Sequence, residues 1–261
     1  MSLLVVSRLH NFDFMKYGYE MHLAVDKIKL RDRRGHNSVG SLKGFVQSIY
    51  DEKYLYLKVY KEYTRKGGYF TGDPEQLEPL INAEGEYKSI LITKAGYAIY
   101  EVSRFFHSND IKDLLNSLFA KSGTKKTIYE DVNQFSLATM RAFYKSAKEI
   151  KLLTIKKVGK VAPNPRMPEE EIEEAVQDMG QEVSNVSLNA GHQQNLKRSQ
   201  IVNDGLARRS DILELKGRDE DRASFKISHN GKIMTSMPKQ SERIAIKLYK
   251  IMEKVMGFLS K

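Results

Sequence analysis

Short runs of alternating apolar residues, broken by glycine-containing or charged turns, dominate the first hundred positions, and this period-two pattern predicts β-strands. The opening run MSLLVVSRLHNFDF reads as a first strand, and residues 19–30 and 41–49 read as two more. The clearest strand is 54–60. There Leu55, Leu57 and Val59 share one face, and Tyr54, Tyr56, Lys58 and Tyr60 share the other. A tyrosine-lined face of this kind either stacks nucleic-acid bases or packs across strands. Lys66-Gly67-Gly68 and Gly72-Asp73-Pro74 read as turns. Gly67-Gly68 lacks the strand–loop–helix context and the Gly-Lys-Ser/Thr ending of a phosphate-cradling loop, so no nucleotide site is assigned there.

The period then lengthens. Residues 89–93 and 97–103 form a predicted hairpin about Lys94-Ala95-Gly96, followed by a helix capped by Ser108. Ile111, Leu114, Leu115, Leu118 and Phe119 recur at helical spacing, and Gly123 closes the helix. A second helix is expected over 135–149 with Leu137, Met140, Tyr144 and Ala147 inward, then a strand over 151–158. Residues 162–168, APNPRMP, form a stiff connector that opens onto the acidic run EEEIEEAVQDMGQE, read as a helix. A strand over 182–189 and a partly helical stretch over 191–207 follow.

The last stretch has the plainest plan. Strands are predicted over 211–216, 224–228 and 232–236, with Asn230-Gly231 suited to a type I′ turn. Pro238 ends the last strand, and Ser241 is placed as N-cap of a helix over 241–260. Ile244, Leu248, Ile251, Val255 and Leu259 share its apolar side, while Arg243, Lys247, Lys250 and Lys254 fall in a band roughly 60° wide on the other. The expected fold is therefore α+β. It comprises an antiparallel β-rich unit with helices over 1–161, the connector and acidic helix over 162–182, and a basic strand-and-helix unit over 183–261.

Charge sharpens this picture. The chain of 261 residues carries a formal charge of +10, which favours polyanionic partners, nucleic acid first and an anionic membrane surface second. The distribution is uneven: 166–182 holds seven acids and one base, whereas 183–261 holds 15 Lys/Arg against eight Asp/Glu. Cysteine is absent, so disulfides and thiolate metal sites are excluded; no run approaches the ~18 apolar residues of a membrane span. A cytoplasmic location is expected, and no cofactor motif is present.

Several groups are candidates for function. The band Arg243, Lys247, Lys250 and Lys254 contains no acid, which suits a phosphate-tracking ridge; the alternative is an ordinary solvated face. Lys197, Arg198, Arg208 and Arg209 are secondary candidates, and Arg31, Arg33 and Arg34 sit in a polar loop that either reaches phosphates or is a surface turn. His10, His22, His36, His107, His192 and His229 show no metal-ligand spacing. Glu214 and Lys216 share a strand face, with Asp204 and Asp211 upstream. That set is either a metal-dependent nuclease site or plain charge pairing. The acidic run 169–182 is a solvated face, an intramolecular lid or a docking site for a basic protein.

The second half also resembles the phage lambda RexA-like exclusion protein family. The similarity runs through Asn185-Val186-Ser187-Leu188, Lys197-Arg198, Ser210-Asp211-Ile212-Leu213-Glu214-Leu215 and Arg218-Asp219-Glu220. It continues through Ile227-Ser228, Gly231-Lys232, Pro238, Glu242, Ala245 and Tyr249. The resemblance covers about a third of the chain and departs from the family at the connector and acidic run. It implies a homodimeric, sequence-independent binder of double-stranded DNA, serving prophage exclusion of other phages together with a separate membrane-protein partner. It carries over no catalytic residue.

Overall fold

The computed structural model describes residues 1–25, 41–70, 77–104, 106–123, 127–156, 185–191, 194–198 and 211–257. Of these, 41–44, 62–70, 77–84 and 186 are described by their backbone alone. The protein is α+β. It folds as two compact units, one built from Ser2–Val132 with Pro238–Met252, the other mainly from Asn133–Met237 with Glu253–Lys261. The connector and acidic run at 162–182 lie outside the described residues.

The first unit contains β1 (Ser2–His10), α1 (Phe14–Ala24), β2 (Ser41–Tyr50), β3 (Tyr54–Phe70), β4 (Leu77–Thr93), β5 (Tyr97–Val102), α2 (Ser108–Lys121) and β6 (Ile128–Asp131). Its strands pair antiparallel in the order β2-β3-β4-β5-β1-β6. Leu55, Leu57 and Val59 of β3 enter one core with Phe14 and Met21 of α1 and Ile111, Leu114, Leu115, Leu118 and Phe119 of α2. The alternation in β3 and the helical spacing in α2 are thus two sides of the same buried layer.

The stretch expected as a strand over 19–30 begins instead inside α1, and 26–40 lie outside the described residues. Tyr19, Met21, Leu23 and Val25 mimic a period of two, yet Phe14, Gly18, Met21 and Val25 fit a helical stripe equally well. The Asp13 carboxylate settles the choice by accepting the Lys16 N–H at 3.2 Å, and Phe14, Gly18, Met21 and Ala24 are buried. Gly67 and Gly68, expected as a turn, lie within β3, where they pair with Leu80 and Pro79 of β4. The hairpin about Gly96, which has φ +77, forms as expected. His107, not Ser108, is the residue before the first turn of α2, and its N–H donates to Asp110 Oδ2 at 2.9 Å.

The second unit contains α3 (Leu137–Ser146), β7 (Glu149–Lys156), β8 (Asn185–Asn189), β9 (Asp211–Arg218), β10 (Ser224–Ser228) and β11 (Ile233–Thr235). The antiparallel order is β11-β10-β9-β7-β8, so β7 pairs with strands that follow the connector in sequence. One face buries Ile150, Leu153, Ile155, Ile212, Leu215, Phe225, Ile227 and Ile233; α3, which packs on β9, buries Met140 and Phe143. The β10–β11 loop has three residues: Ser228 N–H donates to Lys232 O, and only Gly231 has positive φ, +79. That is a glycine-bulge loop, not the two-residue type I′ turn expected.

The last helix, α4 (Ser241–Met256), begins beside the first unit's sheet. Ser241 lies inside the helix, and Gln240 O accepts the first bond, from Ile244 N–H. The Ser241 hydroxyl therefore does not cap; it donates to Gln47 Oε1 of β2 at 2.7 Å. Tyr249 meets the ring of Tyr54 at 5.3 Å.

Candidate nucleic-acid interface

The orientation of α4 decides what its cations can do. Arg243 and Lys250 are exposed, but Lys247 is only 8% exposed, and Lys254 is half-buried with its ammonium 5.5 Å above the ring of Phe143. The residues that do face solvent, Glu242, Arg243, Ile246, Lys250 and Glu253, form an arc centred roughly 60° from the cationic band at about 100° per residue. Two acids lie in that arc. The four-residue ridge is therefore not presented to solvent as a comb. The apolar side of the helix is wide enough to draw Lys247 under with it, the methylene stem packing while the ammonium finds a partner.

Lys197 is likewise committed to the fold. It follows Asn195, whose side chain accepts the Ile150 N–H and the Lys197 N–H, and its ammonium donates to Lys145 O at 2.6 Å and to Ala147 O. These are the open carbonyls at the C-terminal end of α3, where a cation is favoured by the helix dipole. Burial pulls the Lys197 pKa below its usual range, against the opposing charge of Glu220. Arg198 is exposed. Arg208, Arg209 and Asp204 lie outside the described residues, as do Arg31, Arg33 and Arg34.

The aromatic side of β3 is also largely covered. Tyr56 is fully buried with its hydroxyl at 3.2 Å from Ser89 Oγ, and Tyr54 sits against Tyr249. Among the side chains described, the open part is near Tyr60, which pairs with the exposed Tyr87 at 4.8 Å beneath Lys58. Packing, not base stacking, is what the structure gives this side of the strand.

A different basic surface comes from the second unit. The face of its sheet opposite the core carries Lys156, Lys216, Arg218, Lys226 and Lys232, of which all but Lys226 are exposed. Lys216 stands directly opposite Lys226 in the β9–β10 register. Like charges at this position oppose strand pairing. Glu214 offsets part of the repulsion by holding Lys226 at 2.9 Å. Asp211 pairs in register with Lys156, and Glu149 with Arg218. The sequence alone sets Glu214 and Lys216 on one strand face but does not show Lys156 on the same sheet face, because β7 and β9 are far apart in the chain.

The same register bears on the Glu-x-Lys motif. Glu214 and Lys216 do share the face, helped by an irregularity between Thr154/Glu214 and Ile155/Ile212 that leaves Leu213 and Glu214 both outside the core. The Glu214 carboxylate, however, is engaged by Lys226. Among the described residues no three His, Asp or Glu side chains converge as a metal site would need. Of the histidines, His10 meets Glu130 at 2.7 Å and His22 meets Ser48 at 2.8 Å.

At one end of the sheet the strands frame a cavity of about 250 Å³ lined by Lys148, Glu149, Arg218 and Arg222. Its backbone is fixed by Lys148 N–H donating to Arg218 O at 2.9 Å. Gly217 allows the close approach: a Cβ there would lie 2.0 Å from Glu149 O.

No protein-family model matches this chain, and no curated protein matches it. Among the described residues, no helix is long and apolar enough to cross a membrane.

Proposed function

We propose that this protein binds double-stranded DNA without sequence preference and without catalysis, by phosphate contacts from the uncovered face of its second sheet. The observation that carries the reading is Lys216 set directly against Lys226, beside exposed Lys156, Arg218 and Lys232. Folding alone gains nothing from a like-charge pair across two strands, whereas a phosphate between them removes the repulsion. Arg243 and Lys250 of α4 contribute to the general basic charge; Lys247 and Lys254 are left out for the burial and ring contact described above. The resemblance to the RexA-like family supports the same reading, and with it a homodimer acting in phage exclusion.

The test is a gel shift with labelled duplex, single strand and RNA, each with and without Mg²⁺ or Mn²⁺. The expected outcome is retarded, uncut duplex whatever its sequence. Lys216→Gln with Lys232→Gln weakens the shift about tenfold or more, as the loss of two phosphate contacts implies. An unshifted duplex, or cleavage that Glu214→Ala abolishes, rejects the proposal.

A further inference from the structure

The cavity at the end of the second sheet has a character that duplex binding does not require. Its wall holds three cations and one carboxylate, a formal excess of two positive charges. A backbone phosphodiester carries one negative charge, but a phosphate monoester carries about 1.5 to 2 near pH 7. Of the nearby acids, Asp219 accepts the Ala223 N–H through Oδ1 at 2.8 Å, while Glu220 and Asp221 are exposed to solvent.

Two further features point to a ligand. Arg222 lies in the left-handed region, φ +60, in the turn closed by Arg222 N–H to Asp219 O at 3.0 Å. A glycine would occupy this position without strain, whereas an L-residue with a Cβ is disfavoured there. The strain contributes nothing to the turn, but it holds a guanidinium at the cavity. Glu149 supplies the second feature. Its Oε2 is buried, lacks a hydrogen bond, and lies 3.8 Å from Arg218 Nε, too far for a bidentate clamp. Arg218 thus keeps donors for a ligand, and because the Glu149 side chain is 31% exposed, its second oxygen, not the buried Oε2, is the acceptor left for a ligand hydroxyl.

We infer that this cavity binds a phosphate monoester carried on a hydroxylated sugar, with Lys148, Arg218 and Arg222 on the phosphoryl oxygens and Glu149 on a hydroxyl. The volume agrees: about 250 Å³ accommodates a phosphorylated pentose. Such a group exists on a free sugar phosphate or mononucleotide and at the phosphorylated end of a nucleic-acid strand. The inference does not depend on the sheet face binding DNA, although Arg218 belongs to both.

Calorimetric titration of the full chain with ribose 5-phosphate, and with ribose as control, tests it. Ribose 5-phosphate is expected to bind and ribose not to. Arg222→Gly and Lys148→Gln are each expected to weaken binding about tenfold or more, Arg222→Gly with no fall in the urea midpoint. A second arm compares a duplex with 5′-phosphate ends to the same duplex with 5′-hydroxyl ends. Tighter binding of the phosphorylated duplex assigns the site to strand ends; equal binding, with ribose 5-phosphate still bound, assigns it to the free molecule. Failure of ribose 5-phosphate to bind the wild-type chain overturns the inference, as do equal binding of ribose and unchanged binding by both variants. Closed circular duplex has no ends and reports separately on the sheet face, so either reading can fail alone.

Discussion

Single residues show how tightly the second sheet is specified. Gly217 is buried in β9 where a Cβ would lie 2.0 Å from Glu149 O, a backbone atom with no freedom to retreat. Gly217→Ala is expected to cost about 3 kcal/mol, in the range of large single-site effects, read as a lower urea midpoint. Asp131 in the first unit offers a pH test. Burial pushes its carboxyl up, but hydrogen bonds from Lys112 at 2.8 Å and Ser7 at 2.5 Å, with the lysine charge, outweigh this and hold it below the usual range. A pKa lower in the folded than in the unfolded state stabilises above the unfolded value near 4 and is lost as pH falls through the folded one. Asp131→Asn should therefore destabilise the protein at pH 7, with the difference shrinking below about pH 4 in urea melts; a constant difference contradicts the assignment.

At the level of elements, α3 depends on a residue remote in sequence. Lys197→Ala removes both ammonium bonds to its terminal carbonyls and is expected to cost about 1–2 kcal/mol while leaving DNA affinity unchanged. Loss of affinity without loss of stability would return Lys197 to the binding surface. Strands are legible in the sequence where one face is buried and the other is open, as in 224–228, because period two then mirrors burial directly; 54–60 is legible from its alternation of aliphatic and tyrosine residues although both its faces are covered. The sequence misled at α1, where spaced apolar residues satisfied two periods and a single aspartate decided between them. In α4 the expected apolar positions Ile244, Leu248, Ile251 and Val255 are buried, Leu259 lies outside the described residues, and the polar side departs from the expectation. Composition marks which residues are charged, whereas the width of the buried side decides which of them reach water. Lys247 is the case in point.

Across the whole molecule, the surfaces argued to act could not be read from any local motif. The Lys216–Lys226 opposition arises from the β9–β10 register, and the cavity of Lys148, Glu149, Arg218 and Arg222 from the β7–β9 register, which brings together segments lying on either side of the connector. The net charge of +10 favours a polyanionic partner but says nothing of where one would bind. Lys156, Lys216, Arg218 and Lys232 offer four exposed cations for phosphates. The most direct measurement is fluorescence anisotropy of two unrelated duplexes titrated over about 50–300 mM salt. The account predicts equal affinities and a log–log slope of about −3 to −4, reduced by about two in the double Lys216→Gln, Lys232→Gln variant. A slope near zero, a strong preference for one sequence, or an unchanged slope in the variant would contradict it.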